Sequence, residues 1–147
     1  MVQIRKLREE DVESLSELAK DCFSVPWSAK AFAALVEDEK SLYLVAEAEG
    51  RVVGCCGVVN SWGDGDIDIV MVQESMRGQG IAYAMLLELL KQGPAMEIEN
   101  FTLEVRVSNA PAIHVYEKLG FVSEGIRPRF YEKPVEDAVI MWKRKDG

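Results

Sequence analysis

The chain has 147 residues, 48% hydrophobic and 29% charged, enough for one sizeable core and for a single domain over 1–147. Its net charge of −8, from 17 basic and 25 acidic residues, argues against the basic stripe of a nucleic-acid interface and suits either solubility or cationic partners. No run reaches the ~20 apolar residues of a membrane span and Met1–Lys20 is too charged for a secretory signal, so a cytoplasmic protein without membrane contact is expected.

Val2–Lys6 alternates as an edge strand does, and Glu9-Glu10-Asp11 then places negative charge where a helix N-terminus favours it. Val12, Leu15, Leu18, Ala19 and Cys22 share one helical face, with Glu and Lys opposite. Val25-Pro26-Trp27-Ser28 interrupts. Ser28 caps a second helix with apolar positions Ala31, Phe32, Leu35 and Val36, and Trp27 either lines a pocket or anchors the helix corner. Leu42–Ala48 and Val52–Val59 read as a hairpin closed by Glu49-Gly50-Arg51. After a connection over Asn60–Gly65 comes an apolar strand over Asp66–Val72. Asp64-x-Asp66-x-Asp68 imitates the start of a calcium loop, yet Ile69 and Ser75 stand where that loop requires glycine and glutamate. No metal is expected. The three cysteines, two adjacent at Cys55-Cys56, have neither Cys-x-x-Cys spacing nor a disulfide framework and read as reduced core residues.

A helix from Gly80 to Lys91 carries Ala84, Leu87 and Leu90, with Ile81 and Met85 alongside, and is expected to cover a sheet face before Gln92-Gly93-Pro94 stops it. The junction before it, Arg77-Gly78-Gln79-Gly80-Ile81-Ala82, has the makings of an anion cradle. Two glycines free the backbone to approach a ligand, the first-turn N–H groups lack partners, and Arg77 adds a charge able to meet phosphate oxygens in pairs. A Walker loop is excluded because Ile81 and Ala82 replace Lys-Ser/Thr, and a dinucleotide fingerprint because Tyr83 stands at its third glycine. The remainder, Arg-x-x-Gly-x-Ala, fits either an ordinary strand-helix turn or a phosphate site.

Phe101–Val107 is the next strand, Ser108-Asn109 cap a helix from about Ala110 to Leu119, and Gly120 ends it; Phe121–Ile126 and Ala138–Lys143 close the sheet. Antiparallel hairpins and two strand-helix crossovers imply a mixed sheet with helices on its faces.

The block Leu103-Glu104-Val105-Arg106-Val107-Ser108-Asn109-Ala110-Pro111-Ala112-Ile113-His114-Val115-Tyr116-Glu117-Lys118-Leu119-Gly120-Phe121 resembles, with the Arg77–Ala82 loop, the GNAT N-acetyltransferases. Pro26-Trp27-Ser28, Phe32, Phe130-Tyr131 and Glu136–Met141 extend the likeness toward the RimI-type branch, whose members acetylate the N-terminal alanine of a small-subunit ribosomal protein. Glu74 and Met76 depart from the family's usual proline and aromatic residue, which bears on the backbone path into the loop and on cofactor affinity.

The resemblance implies a GNAT fold of the α/β (α+β) class: a mixed, mostly antiparallel sheet of six to seven strands with helices on both faces. It implies acetyl-CoA as cosubstrate, no metal, and the N-terminus of a protein, ribosomal by preference, as partner. Backbone groups around Val70, Met71 and Val72 would hold the acetyl carbonyl and pantetheine arm, Arg77, Gly78, Gln79, Gly80, Ile81, Ala82 and Tyr83 the pyrophosphate, and Asn109 a further cofactor contact. Glu104 would be the general base and Tyr116 the general acid. From position alone Glu104 is equally a strand carboxylate beside Arg106, Tyr116 a core tyrosine, and Asn109 a plain helix cap. His114 lies two residues from Tyr116, on a different helix face, and reads as a surface residue. Pro26-Trp27 and Arg127–Glu136 would flank an acceptor channel. Two other functions fit the same chain: an acetyltransferase acting on a small molecule or polyamine, and a CoA-binding module without chemistry.

Overall fold

A computed structural model describes residues 2–145. In chain order the elements are β1 (Val2–Lys6), α1 (Val12–Cys22), α2 (Ala29–Ala33), β2 (Ser41–Ala48), β3 (Arg51–Ser61), β4 (Asp64–Val72), α3 (Ile81–Gln92), β5 (Asn100–Arg106), α4 (Ala110–Lys118), β6 (Val122–Tyr131) and β7 (Glu136–Lys143). The seven strands form one sheet in the order β1-β2-β3-β4-β5-β7-β6, antiparallel everywhere except between β4 and β5. No helix among the described residues is long and apolar enough to cross a membrane.

Strand alternation divides the interior into two layers. Leu42, Leu44 and Ala46 of β2 face one way and pack with Met85, Leu86 and Leu89 of α3 and with Leu103 and Tyr116. Tyr43 and Val45 face the other way and pack with Leu15 and Ala19 of α1 and Phe32 of α2. Helices therefore cover both faces, as expected for the fold. Asp11 fixes the corner between β1 and α1. Only 3% exposed, it takes two hydrogen bonds from the Arg5 guanidinium, at 2.8 and 2.9 Å, and one from the Arg8 backbone N–H at 2.8 Å.

Four local expectations change. The stripe expected to bury α3 is rotated: Ile81, Met85, Leu86 and Leu89 are inside, while Ala84 is exposed and Leu87 is 50% exposed. Nine apolar side chains in twelve positions leave α3 without one dominant stripe, so the sheet selects the face. α2 stops at Ala33, with Ala31 exposed, although Ser28 Oγ does cap it by accepting from the Ala31 N–H at 3.2 Å. The Asn60–Gly65 connection contracts to Trp62-Gly63, both with positive φ, because strand pairing continues to Ser61 opposite Asp64. β6 runs on to Tyr131, past the expected end at Ile126.

β4 has two irregularities that shape the site. Gly57 pairs with Ile69 and Val58 with Ile67, so Asp68 is an extra residue, a bulge that re-aims its side chain. On its other edge β4 pairs with β5 only over Asp64–Asp66 against Asn100–Thr102. Both strands continue beyond that point, unpaired with each other.

Candidate active site

Where β4 and β5 part, a cleft of about 650 Å³ opens; its lining includes Trp27, Asp68, Val70, Glu104, Asn109, Tyr116 and Tyr131. The backbone of β4 borders it. Val72 O accepts from Arg77 Nε at 3.0 Å, so it faces away from β3, and because a strand's polar groups alternate sides, the N–H groups of Val70 and Val72 face the opening as well. Met71, the residue between, turns its polar groups toward β3, so the backbone groups around it that face the opening are those of Val70 and Val72. The Met71 side chain lies in the α1/α2 layer and that of Val72 in the α3/α4 layer.

Glu104 alternates with Leu103 and Val105, which are buried under α3 and α4, and so emerges on the opposite face into the cleft. Its partner is Arg127, whose Nε lies 3.3 Å from Oε2, rather than the neighbouring Arg106. Burial, then the nearby Asp66 charge, push the Glu104 pKa up, while Arg127 opposes them. Arg106 instead pairs with Glu136 at 3.2 Å and lies 4.5 Å from the centre of the Tyr131 ring, holding that ring in the cleft wall. Burial and Glu104 push the Tyr131 pKa up to about 12 against the pull of Arg106.

Tyr116, on α4, is 6% exposed and packs 6.1 Å from Phe121. Tyr116 lines the cleft, and because no buried side-chain oxygen among the described residues lacks a partner, its unbonded hydroxyl opens onto the cavity. Burial raises its pKa well above the usual phenol value, which keeps the proton on the oxygen at neutral pH. Asn109 caps α4, its Oδ1 accepting from the Ala112 N–H at 3.3 Å, and also lines the cleft, so the cap and a cofactor contact are compatible. His114 is exposed.

The Arg77–Tyr83 loop leaves the end of β4 and does not line this cavity. Gly78 and Gly80 both have φ of 79°, a left-handed conformation that favours glycine, and a Cβ on either would meet no protein atom within 4 Å. The space above them is open to a ligand. Gly80 gives α3 no side-chain cap, and its carbonyl takes the Ala84 N–H, leaving the N–H groups of Ile81, Ala82 and Tyr83 without helical partners. Ile81 points its side chain inward, Ala82 and Tyr83 are half-buried, and Gln79 is exposed. Arg77 differs from expectation: Nε is held by Val72 O and Nη2 lies 3.6 Å from Cys22 Sγ, so it is not a free fork for phosphate. Its charge still sits beside the loop.

Structure thus unites Val70, Glu104, Asn109 and Tyr116 in one cleft and sets the glycine loop at the end of the same strand. Sequence reading passed over Asp68, absorbed into a rejected calcium pattern; its real signal was a carboxylate between two isoleucines of an apolar strand. Among the described residues no three His, Cys, Asp or Glu side chains cluster as a metal site would require.

Residues 12–121 match the Acetyltransferase (GNAT) family, and the chain belongs to that family. It is 33% identical over 95% of its length to a Bacillus subtilis protein provisionally named a [ribosomal protein bS18]-alanine N-acetyltransferase, covering 93% of that protein. The crystal structure of the ribosomal-protein-S18-alanine N-acetyltransferase from Escherichia coli superposes with a TM-score of 0.88 at 28% identity, covering 98% of this chain and 94% of that one. A Salmonella typhimurium protein assigned as an acetyltransferase and solved with its cofactor acetyl-CoA shares the fold, with a TM-score of 0.87 at 17% identity over 100% of this chain and 95% of that one.

Proposed function

We propose that the chain is, over 1–147, one acetyltransferase domain that moves the acetyl group of acetyl-CoA to the N-terminal α-amine of a protein, the alanine of a small-subunit ribosomal protein being the preferred acceptor. Its setting is the cytoplasm. The observation that carries the reading is that Glu104 and Tyr116 open into one cleft beside unpaired backbone donors. The named relatives from Bacillus subtilis and Escherichia coli support the choice of acceptor.

The groups present suit acetyl-CoA. The N–H groups of Val70 and Val72, on either side of Met71, would bind the acetyl carbonyl and the pantetheine arm. The open glycines and uncapped first turn of α3, from Gly78 to Tyr83, would bind the pyrophosphate with Arg77 alongside, and Asn109 would add a contact. Bound there, the coenzyme supplies an acetyl group activated as a thioester. Glu104 takes one proton from the incoming ammonium, directly or through water, and the neutral amine then attacks; as the C–N bond forms and the C–S bond breaks, Tyr116 hands its proton to the departing sulfur and the second proton shed by the nitrogen restores the phenol. Deprotonating an α-amine of pKa near ~8 costs under about 1 kcal/mol at pH 7.5, against about 4 for a lysine, so a modest base is sufficient for this substrate.

Acetylation of an alanine-first peptide by the wild type tests the reading, with Glu104→Gln and Tyr116→Phe each expected to lower kcat by roughly 10² or more while acetyl-CoA still binds by calorimetry. Turnover of polyamines alone would move the assignment to a small-molecule acetyltransferase. Tight coenzyme binding with no turnover of any amine would make the chain a binding module.

A further inference from the structure

Asp68 is the cleft residue to which the proposed chemistry gives no task, and several parts of the fold converge to hold it. The bulge in β4 makes it the extra residue between Ile67 and Ile69 and turns it into the cleft. The hydroxyl of Tyr43, a residue 3% exposed in the α1/α2 layer, lies 2.7 Å from both carboxylate oxygens. To reach across from β2 the Tyr43 ring lies on Gly57 of β3, where any Cβ would collide with it. Glycine at 57 is thus what lets a buried phenol brace a carboxylate two strands away. Within the same cleft the Tyr116 hydroxyl forms no hydrogen bond among the described residues and, on a residue 6% exposed, leaves its oxygen open to the cavity.

The charges around Asp68 define the kind of ligand. Among the described residues no cation pairs with it. Arg127 is committed to Glu104, Arg106 to Glu136, and Arg129, also on the lining, forms no ion pair with it. Asp66 adds a second negative charge on the same strand. We infer that Asp68, braced by Tyr43, is a specificity-determining residue that binds a positively charged side chain close to the acceptor amine, such as a lysine or arginine at the second position of the acceptor peptide. Glu104 and Asp68 then divide the work: one takes the proton of the reacting amine, the other recognises its cationic neighbour. Burial, and then Asp66, raise the Asp68 pKa to about 6 while Tyr43 pulls it down, so the carboxylate is mainly charged near pH 7.5.

The inference rests on the acetyltransferase reading, and two peptides separate their failures. Both begin with alanine and differ only at the second residue, lysine in one and methionine in the other. Wild type is expected to favour the lysine peptide in kcat/KM by about tenfold, the worth of one charge-assisted hydrogen bond. Asp68→Asn should bring that ratio to about one through a higher KM for the lysine peptide, and Tyr43→Phe should reduce it partway. A wild-type ratio near one, a ratio retained in Asp68→Asn, or a loss confined to kcat and equal on both peptides would overturn the assignment. Should neither peptide be acetylated, the N-terminal reading fails by itself. A monoamine and a diamine of equal length then pose the same question to Asp68, with loss of the diamine preference in Asp68→Asn as the expected result and its retention as the overturning one.

Discussion

Glu104 lies under opposed influences: burial and the Asp66 charge favour its proton, and the exposed Arg127 guanidinium at 3.3 Å favours losing it. Removing the cation therefore has a determined sign. Arg127→Ala should move the acidic limb of the kcat/KM profile to higher pH, because the carboxyl keeps its proton longer; a limb that stays in place or moves down would show that Glu104 is not the group titrating. Asp68 has the opposite consequence for stability from an ordinary paired carboxylate. Its folded pKa, about 6, exceeds the usual 3.8, so the folded state holds the proton more tightly than the unfolded chain does. Its contribution to stability is complete below about pH 4 and is lost as pH rises through about 6. Asp68→Asn should accordingly raise the melting temperature near pH 7.5 and give no gain near pH 4, measured as the difference from wild type. A gain equal at both values would point to packing instead. Asp11 works the other way: burial raises its pKa, but the Arg5 and Arg8 hydrogen bonds outweigh that and hold it below the carboxylate norm. Its contribution is present above the normal carboxylate pKa and lost as pH falls. Nothing in Glu9-Glu10-Asp11 singled it out; only the return of Arg5 from β1 makes it a buried ion-pair partner.

At the scale of elements, α3 shows most clearly how packing decides what periodicity leaves open. Leu89→Ala removes a fully buried side chain against the sheet and should cost about 2 to 5 kcal/mol, whereas Leu87→Ala, on the half-exposed side, should cost under about 1. Denaturant unfolding of the two variants checks the rotation of the helix directly; equal costs would contradict it. The start of α3 follows different physics. Left-handed glycines and an absent side-chain cap are poor choices for helix stability alone, and they become intelligible if a ligand completes the first turn. Two helix starts are readable locally: Ser28 and Asn109 both cap as their residue types imply.

Across the whole molecule, a parallel pairing that ends at Asp66 and Thr102 converts a continuous sheet into two halves with a cleft between them. One half carries β1 to β4 under α1, α2 and α3; the other carries β5, β7 and β6 with α4. A ligand bridging the halves binds only the folded arrangement. At 100 times its dissociation constant acetyl-CoA should add about 2.7 kcal/mol, which raises the melting temperature by roughly 5 to 10 °C. A scan with saturating acetyl-CoA and no shift would mean that the cleft and glycine loop do not take the coenzyme.

The sequence by itself determined the order of strands and helices, the caps, the glycine loop and the block from Leu103 to Phe121 that marks the family, because each depends on neighbours within a turn or two of chain. Tertiary structure alone decided the buried face of α3, the pairing of Glu104 with Arg127, the burial of Asp11 and the aim of Asp68. Those features arise where distant segments meet: a bulge exists only against the strand it slips past, and a carboxylate's partner is whichever cation the fold brings within reach.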